Sequence, residues 1–391
     1  MMASSHQMSV RESLLERAQQ VATEVVAKHA ADVDQRARFP AEAVAALREA
    51  RLLGIAMPSA LGGEDATVAE LAGICQVLAQ ACAATGMVFA MHQIQVLCIL
   101  RHYNDTPFFR SYLRECVEQQ RLIASATSEI GVGGDTRSSK CAVERDETHF
   151  DLQKQASVIS YGEFADDILG TARRAPDAAP SDQVLVLIKK DERTLDRVGG
   201  WDTLGMRGTC SYGFVLKARA PLDHILPVPY AEISSQTMHP ISHVVWTHVW
   251  LGIATSAVSI ARKYVRTEAR KTPGVPPPNA LRAAELVSML HTLRGSVRDS
   301  MHEYVARFDD ADRLSSLGFS IRMNNLKIST AEQVVPIVNR AMSICGISAY
   351  RNDTPYSLGR HLRDAHGAAV MILNDRLYGT NATLLLVSKE D

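Results

Sequence analysis

Apolar residues return every three or four positions along the first third of the chain, the spacing that places them on one face of a helix. The pattern is interrupted by Phe39-Pro40, by Pro58 through Gly63 and by Asn104 through Pro107, which divides it into about five helices. These helices should pack together to bury their apolar faces. Residues 1–120 are therefore predicted to form an N-terminal α-helical domain.

The pattern changes over residues 121–229, where short β-branched and apolar runs such as QVLVLIKK and GFVLKA alternate with turn residues. This part is predicted to be a middle β domain. Helical periodicity returns over residues 230–391, in three long segments and a shorter terminal one that need each other to bury their stripes. The sequence thus predicts a mainly α protein with a central β domain and a C-terminal four-helix bundle.

Composition narrows the classes of function. The chain has 42 Lys and Arg residues against 43 Asp and Glu, so no overall field attracts nucleic acid or an anionic membrane. No uninterrupted apolar run of about 18 residues occurs and the start lacks a secretory apolar region, so membrane insertion and export are not expected. Seven scattered cysteines without a CxxC pair are typical of reduced thiols, which predicts a cytoplasmic protein.

Three segments carry candidate chemistry. Ser125–Asp135 combines small hydroxyl residues with three glycines that let the backbone approach a planar or anionic ligand, although a turn between strands has the same composition. It lacks the GxGxxG pattern of a dinucleotide-binding fold. The other two segments are Trp201–Cys210 and Ala269–Gly274, the second at the end of a long predicted helix.

Together these segments resemble, in order and spacing, the acyl-CoA dehydrogenase superfamily, whose patterns run roughly TEPxxGSD, LGxRxSxT, RxxFG and a late RDA. The matching residues here are Ser128 through Asp135, Leu204 through Thr209, Arg270 through Gly274, and Arg363-Asp364-Ala365. The resemblance covers nearly the whole chain. It implies the acyl-CoA dehydrogenase fold: an N-terminal helical domain, a middle β-barrel and a C-terminal four-helix bundle.

The resemblance also implies FAD, held between the barrel and the bundle of a homotetramer or homodimer. Residues implied to lie near the isoalloxazine are Thr127, Ser128, Gly133 and Gly134, with Val158, Ile159 and Ser160 on its N5 side. Arg270 would reach the pyrophosphate of a neighbouring subunit's FAD, since a guanidinium can bond two phosphate oxygens at once, and Gly346 would let the chain turn beside the adenylate half. The alternative for Arg270 is a cation that meets the dipole of its own helix end.

One departure from the family decides the chemistry. A family dehydrogenase removes the α-proton of an acyl thioester with a Glu, usually in a Tyr-Glu-Gly-Thr sequence, whereas this chain has Tyr378-Gly379-Thr380; counting from Arg363 instead places Ile372 there. In the alternative arrangement the Glu lies early in the first bundle helix, where this chain has Ser242-His243. Asp375 is a candidate substitute base, and Asn374 is a candidate for orienting a carbonyl or the flavin by hydrogen bonding.

Flavin monooxygenases of the same fold resemble this chain in lacking that Glu. They use a His on the helix corresponding to MVFAMHQIQVLCIL and a Ser beside N5 to stabilise oxygenated flavin, which makes His92 and Ser160 candidates. A lone His on an apolar helix is equally explained as a core residue that bonds a carbonyl.

A group of rings lies at the start of the first bundle helix: His239, His243, Trp246, His248 and Trp250. No HExxH pattern or carboxylate completes a metal site, so no metal is expected, and an aromatic substrate wall or plain core is favoured.

The sequence therefore predicts an FAD-dependent oxidoreductase that acts on an acyl thioester, carried on CoA or on a carrier protein, through an atypical acid–base set or through oxygen. An electron acceptor or a flavin reductase would be its partner. The alternatives are a flavin monooxygenase that uses reduced flavin and O2, and a non-catalytic family member that binds ligands or partners as a scaffold.

Overall fold

The computed structural model describes residues 14–133 and 135–388. Its first third is helical: α1 (14–35), α2 (Ala41–Glu49), α3 (Val68–Ala81), α4 (Ala83–His102) and α5 (Pro107–Gln119). Local chemistry sets the ends of these helices. Thr67 and Glu70 form a reciprocal capping box at the start of α3, and Pro107 begins α5, where its missing N–H costs nothing.

Seven strands follow: β1 (Ile123–Ala126), β2 (Glu144–Arg145), β3 (His149–Ile159), β4 (Asp167–Arg173), β5 (Gln183–Lys189), β6 (Arg193–Arg197) and β7 (Tyr212–Pro221). They pair as two sheets, one in the order β1-β4-β5 and one in the order β2-β3-β7-β6. The register of β3 on β7 shifts between Ala156 and Ile159, which is a β-bulge. Bulges re-aim side chains, and this one lies at the end of β3 that carries Ser160.

The last part is helical again: α6 (Tyr230–Ile233), α7 (His239–Ala269), α8 (Ala280–Arg307), α9 (Ala311–Leu314), α10 (Leu317–Cys345), α11 (Ile347–Tyr350), α12 (Gly359–Val370) and α13 (Asn374–Leu385). Helices α7, α8 and α10 pack on one another, and α12 and α13 pack on α10 in place of a single fourth helix. The predicted order of helices, strands and helices is confirmed.

The turn that joins β6 to β7 fastens the three regions together. Gly205 lies so close to α12 that an added Cβ would come 2.1 Å from the carbonyl oxygen of Arg363. The N–H of Met206 donates to the carboxylate of Asp364 at 2.7 Å. Asp34 of α1 pairs with Arg363. Gly205, the first glycine of LGMRG, has no room for a side chain because the backbone of α12 passes directly over it.

Two helices are long and apolar enough to span a membrane by length and composition: Ala83–His102 and the continuous stretch Tyr230–Ala269. In each, most of the apolar window is buried inside the protein, 89% and 78% respectively. Helices so covered by their own chain are the core helices of the fold.

Candidate active site

A chain of three hydroxyls lies at the end of β3. Ser160 and Ser211 are 2.8 Å apart, and Ser211 and Thr209 are also 2.8 Å apart. The Thr209 hydroxyl donates to the carbonyl oxygen of Met206 at 2.9 Å. The same carbonyl oxygen also accepts from Nε1 of Trp201 at 3.2 Å and from the N–H of Thr209 at 3.1 Å. With the Thr209 proton placed on that oxygen, Ser211 donates to Thr209 and Ser160 donates to Ser211. Half-buried Ser160 is thus left with lone pairs and no proton to offer.

The β-bulge beside these hydroxyls is held by Ser128. Its hydroxyl accepts from the N–H of Val158 at 3.2 Å and donates to the carbonyl oxygen of Val158 at 2.8 Å. Ser128 therefore bonds the N–H and the carbonyl of Val158, which the bulge removes from hydrogen bonding with β7. Val158 is thereby turned outward, with 39% of its surface exposed, whereas the side chain of Ile159 is fully buried in the core. The predicted role of Ile159 in cofactor binding can involve only its backbone.

Thr127 and Gly133 border the open side of this region. The half-buried Thr127 hydroxyl makes no hydrogen bond to a described residue, and Gly133 has φ +60° with no atom within 4 Å of the place a Cβ would take. Arg376 of α13 donates to the carbonyl oxygen of Gly133 and so ties this loop to the bundle. Gly134 lies outside the described residues.

These features fit a flavin. The glycine leaves room for a flat ring against the backbone, exposed Val158 offers an apolar surface, and Thr127 and Ser160 offer hydroxyl oxygens that the protein has not saturated.

His92 makes backbone contacts with both ring nitrogens, which gives its predicted catalytic role no support. The ring is fully buried. Its Nε2 lies 2.9 Å from the carbonyl oxygen of Leu53 and therefore carries the proton, while its Nδ1 accepts from the N–H of Ile123 at 3.1 Å. Burial lowers the pKa of His92 to about 4. The alternative explanation, a core histidine that links helices to the β region, is the one the geometry supports.

The candidate substitute base Asp375 lies exposed on the first turn of α13 and stays a prediction. Asn374 is buried, and its amide oxygen accepts from the ammonium of Lys327 at 2.6 Å. The same ammonium donates to the carbonyl oxygen of Ile372 at 2.5 Å. Ile372, a β-branched residue, has φ +52°, a strained conformation for such a side chain. Lys327 thus holds the turn at which the resemblance expects a carboxylate.

Lys327 was missed by sequence reasoning. It lies within α10, is fully buried, and makes no ion pair with a described carboxylate. Burial lowers its pKa to about 8. The signal was available, since a lone lysine in an apolar helical stripe (LKISTAEQVVPIV) is uncommon inside a core.

The ring group at the start of α7 lies beside this turn. His239 and His243 have ring centroids 4.5 Å apart, and those of His243 and Trp246 are 6.0 Å apart. The Nζ of Lys327 lies 5.8 Å from the centroid of a Trp250 ring. Pro240 occupies the first turn of α7, where it is tolerated, so His239 and His243 do share a helix face. Among the described residues no cluster of His, Cys, Asp or Glu has the arrangement of a metal site.

Arg270 and Gly346 lie at the far ends of the long helices. Arg270 is exposed at the C-terminal end of α7 and borders a groove of about 410 Å³. Gly346 ends α10 with φ +60° and ψ −138°, a conformation open essentially to glycine alone. The groove contains four exposed cations and no acid; its lining is Ser259, Arg262, Lys263, Arg266, Thr267 and Arg270. Cations grouped in this way can bond the oxygens of a diphosphate, and they also lie where the dipole of α7 favours positive charge, so both explanations of Arg270 stay open.

Comparison with known proteins places the chain in a family. Residues 9–119 match the N-terminal domain of acyl-CoA dehydrogenases and residues 244–376 match their C-terminal domain. Cyclohex-1-ene-1-carbonyl-CoA dehydrogenase of Geobacter metallireducens is 24% identical, over 90% of this chain and 91% of that protein. The chain therefore belongs to the acyl-CoA dehydrogenase superfamily and is a flavin-dependent oxidoreductase, with FAD, the flavin of that family, as its cofactor.

Solved structures of the same fold include both a dehydrogenase and a monooxygenase. Butyryl-CoA dehydrogenase of Megasphaera elsdenii superposes with a TM-score of 0.81 at 16% identity, over 96% of this chain and 98% of that one. The FMN-bound dibenzothiophene monooxygenase TdsC of Paenibacillus sp. A11-2 superposes with a TM-score of 0.83 at 19% identity, over 96% and 97%. At such identities the likeness establishes the fold alone.

Proposed function

We propose that the chain dehydrogenates an acyl thioester, carried on CoA or on a carrier protein, and passes the electrons to a separate acceptor. The full-length relatedness to an acyl-CoA dehydrogenase supports this choice of substrate class. One solved structure of the same fold, at 16% identity, carries the name electron transferring flavoprotein, and we propose a protein acceptor of that kind.

The direction of the hydroxyl chain is the observation that carries the choice between dehydrogenation and oxygenation. An oxygenase must donate protons or hydrogen bonds to negatively charged oxygen beside the flavin. Ser160 gives its only proton to Ser211, and His92 gives its proton to the carbonyl oxygen of Leu53. Both donors on which the oxygenase interpretation depended are therefore committed elsewhere. As an acceptor, Ser160 can bond the N–H that the ring carries once it is reduced.

In the proposed reaction bound FAD supplies the hydride acceptor. Thr127 and the Gly133 backbone position the ring, and Ser160 accepts a hydrogen bond at its edge. Lys327 and Asn374 fix the turn at Ile372 that closes the substrate side, and the indole rings of Trp246 and Trp250 exclude water from it. Excluding water strengthens the electrostatic interactions that act on the thioester.

The protein is further proposed to work in the cytoplasm as a homotetramer or homodimer. The cationic groove around Arg270 opens outward, and the last helices expose large apolar side chains, among them Val370, Leu373, Tyr378, Leu385 and Leu386. Apolar surface of this extent is typical of subunit contacts. Light scattering on the purified flavoprotein measures the mass, and a monomer at working concentration would refute the assembly.

The test of the reaction is anaerobic titration of the purified yellow protein with a panel of saturated acyl-CoA thioesters of different length and branching. We expect at least one to bleach the flavin absorbance and to yield the α,β-unsaturated product, identified by mass spectrometry. The control is the same panel as free acids, which lack the acidic α-proton of a thioester and should leave the flavin oxidised.

Oxygenation remains the second candidate because the described chain has no carboxylate at the turn of Ile372. Its test uses the same protein, chemically reduced and then mixed with isotopically labelled O2 and an aromatic acceptor such as indole. Labelled oxygen in the organic product, together with no bleaching by any thioester, would replace dehydrogenation with oxygenation.

A further inference from the structure

The ring of His243 has one nitrogen without a partner. His243 is 1% exposed, and its Nε2 makes no hydrogen bond to any described residue. Its Nδ1 lies 2.8 Å from the carbonyl oxygen of His239, one turn earlier in α7. Since a carbonyl can only accept, Nδ1 carries the ring proton, and in the neutral ring Nε2 holds a lone pair.

The neighbouring His239 does not donate a hydrogen bond to that lone pair. The Nε2 of His239 lies 2.9 Å from the amide oxygen of Asn324 and donates to it. The orientation of this amide is fixed, because its NH2 group donates to Asn381 at 2.7 Å and Asn381 donates in turn to Asn325 at 2.9 Å. His239 therefore directs its proton away from His243.

A second unpartnered atom lies one turn further along the same face. The indole Nε1 of Trp246 is buried and makes no hydrogen bond to a described residue. A buried polar atom left unsatisfied costs about 1–3 kcal/mol. One acceptor and one donor, both on the face of α7 that meets Lys327, can be satisfied together by a molecule that brings its own hydrogen and its own oxygen. A thioester presents both, at its α-carbon and at its carbonyl.

We propose that Nε2 of His243 is the general base that removes the α-proton of the substrate, an assignment that rests on the proposed dehydrogenation. The Cα–H bond breaks and its proton forms a bond to Nε2, which makes the ring an imidazolium. The electron pair left on Cα forms the double bond to Cβ as a hydride leaves Cβ for oxidised FAD. The indole N–H of Trp246 serves the thioester oxygen, on which negative charge develops.

Electrostatics keeps this ring neutral before the reaction. Burial, followed by the adjoining His239 and then by Lys327, lowers the pKa of His243 well below its ordinary value. His239 lies on the same helix and Lys327 on α10. The lone pair is therefore present at neutral pH, and the negative charge that develops on the substrate beside Lys327 offsets the positive charge of the imidazolium.

The experiment compares His243→Gln with the matched control His248→Gln in the flavin-loaded protein. His248 lies on the same helix, is 6% exposed, and bonds the carbonyl oxygen of Val244 through Nδ1 at the same 2.8 Å. Loss of a general base typically slows a reaction about 100-fold or more. We expect that loss in thioester-dependent bleaching for His243→Gln and a change of less than about threefold for His248→Gln.

A second readout separates proton removal from redox. The wild type should exchange the α-hydrogens of a saturated acyl-CoA for deuterium in heavy water, measured by mass spectrometry. His243→Gln should not exchange them, although its unfolding midpoint should match that of the control. Nitrogen NMR of labelled histidine should also show His243 protonated on Nδ1.

The outcomes are distinguishable. Bleaching and exchange that survive in His243→Gln overturn the base and leave the proposed function in place. Exchange in the wild type that depends on His243, without bleaching by any thioester, supports the base and overturns dehydrogenation. A wild type that neither exchanges nor bleaches overturns both.

Discussion

Replacing Lys327 with Met should make the stability of the protein respond differently to pH. Burial lowers the pKa of Lys327 from 10.5 to about 8. The unfolded chain therefore binds more protons than the folded one between these values, and the wild type gains stability as pH rises through that window. The difference between these two pKa values corresponds to about 3 kcal/mol of unfolding free energy. Met cannot titrate, so Lys327→Met lacks this gain.

The substitution also has a cost that does not depend on pH. It removes donors from the carbonyl oxygen of Ile372 and the amide oxygen of Asn374, at about 1–3 kcal/mol for each acceptor left unsatisfied. Below pH 8 this loss is partly offset, because the variant no longer buries an ammonium. Near pH 7 the free energies of unfolding of the variant and the wild type should therefore be similar. Between pH 7 and pH 10.5 the variant should lose about 3 kcal/mol relative to the wild type.

The assay is urea unfolding of the wild type and Lys327→Met at several pH values, followed by circular dichroism. Lys28→Met serves as the control, since Lys28 is an exposed lysine of α1 that makes no ion pair with a described residue, and its curve should run parallel to that of the wild type. A stability difference between the wild type and Lys327→Met that stays constant to within about 1 kcal/mol from pH 7 to 10.5 would refute the reasoning.

Three further changes test other parts of the site. Arg270→Ala should weaken FAD retention because it removes a cation from the groove, and equal retention on dilution, measured by flavin fluorescence, would show that the groove holds no phosphate. Gly346→Ala should lower stability by about 1–3 kcal/mol through strain alone, since no atom lies within 4 Å of the added Cβ; an unchanged unfolding midpoint contradicts this. Ser211→Ala should free the proton of Ser160 to act as a donor. The reduced flavin should then be reoxidised by O2 faster than in the wild type. An equal rate in stopped-flow absorbance would show that the order of the hydroxyl protons is unimportant.

Patterns along the chain were sufficient for the architecture, because helix and strand periodicity are local properties. The five N-terminal helices follow from breakers such as Pro58 and Pro107. The break between α12 and α13 was harder to predict. It lies at Ile372, an apolar β-branched residue with positive φ, and no Gly or Pro at that position marks the break in the sequence.

Side-chain roles were harder to predict, because they depend on which backbone groups come near in space. His92 lies in the core, where its ring donates to the carbonyl oxygen of Leu53, 39 positions away along the chain. The ring proton of His243 could not be assigned before the carbonyl of His239 was seen to accept it. Motif residues such as Gly205 were recognised by spacing, but their purpose, close passage of α12, appears only in three dimensions.

The fastening of α1, the LGMRG turn and α12 bears on how the molecule comes apart. Asp34, Gly205 and Asp364 come from the beginning, middle and end of the chain, and each contact bridges two of those regions. A segment cut from either end would leave buried polar groups without partners on the remainder. The three regions should consequently melt in one transition, and limited proteolysis should yield either intact protein or small peptides, with no stable fragment between.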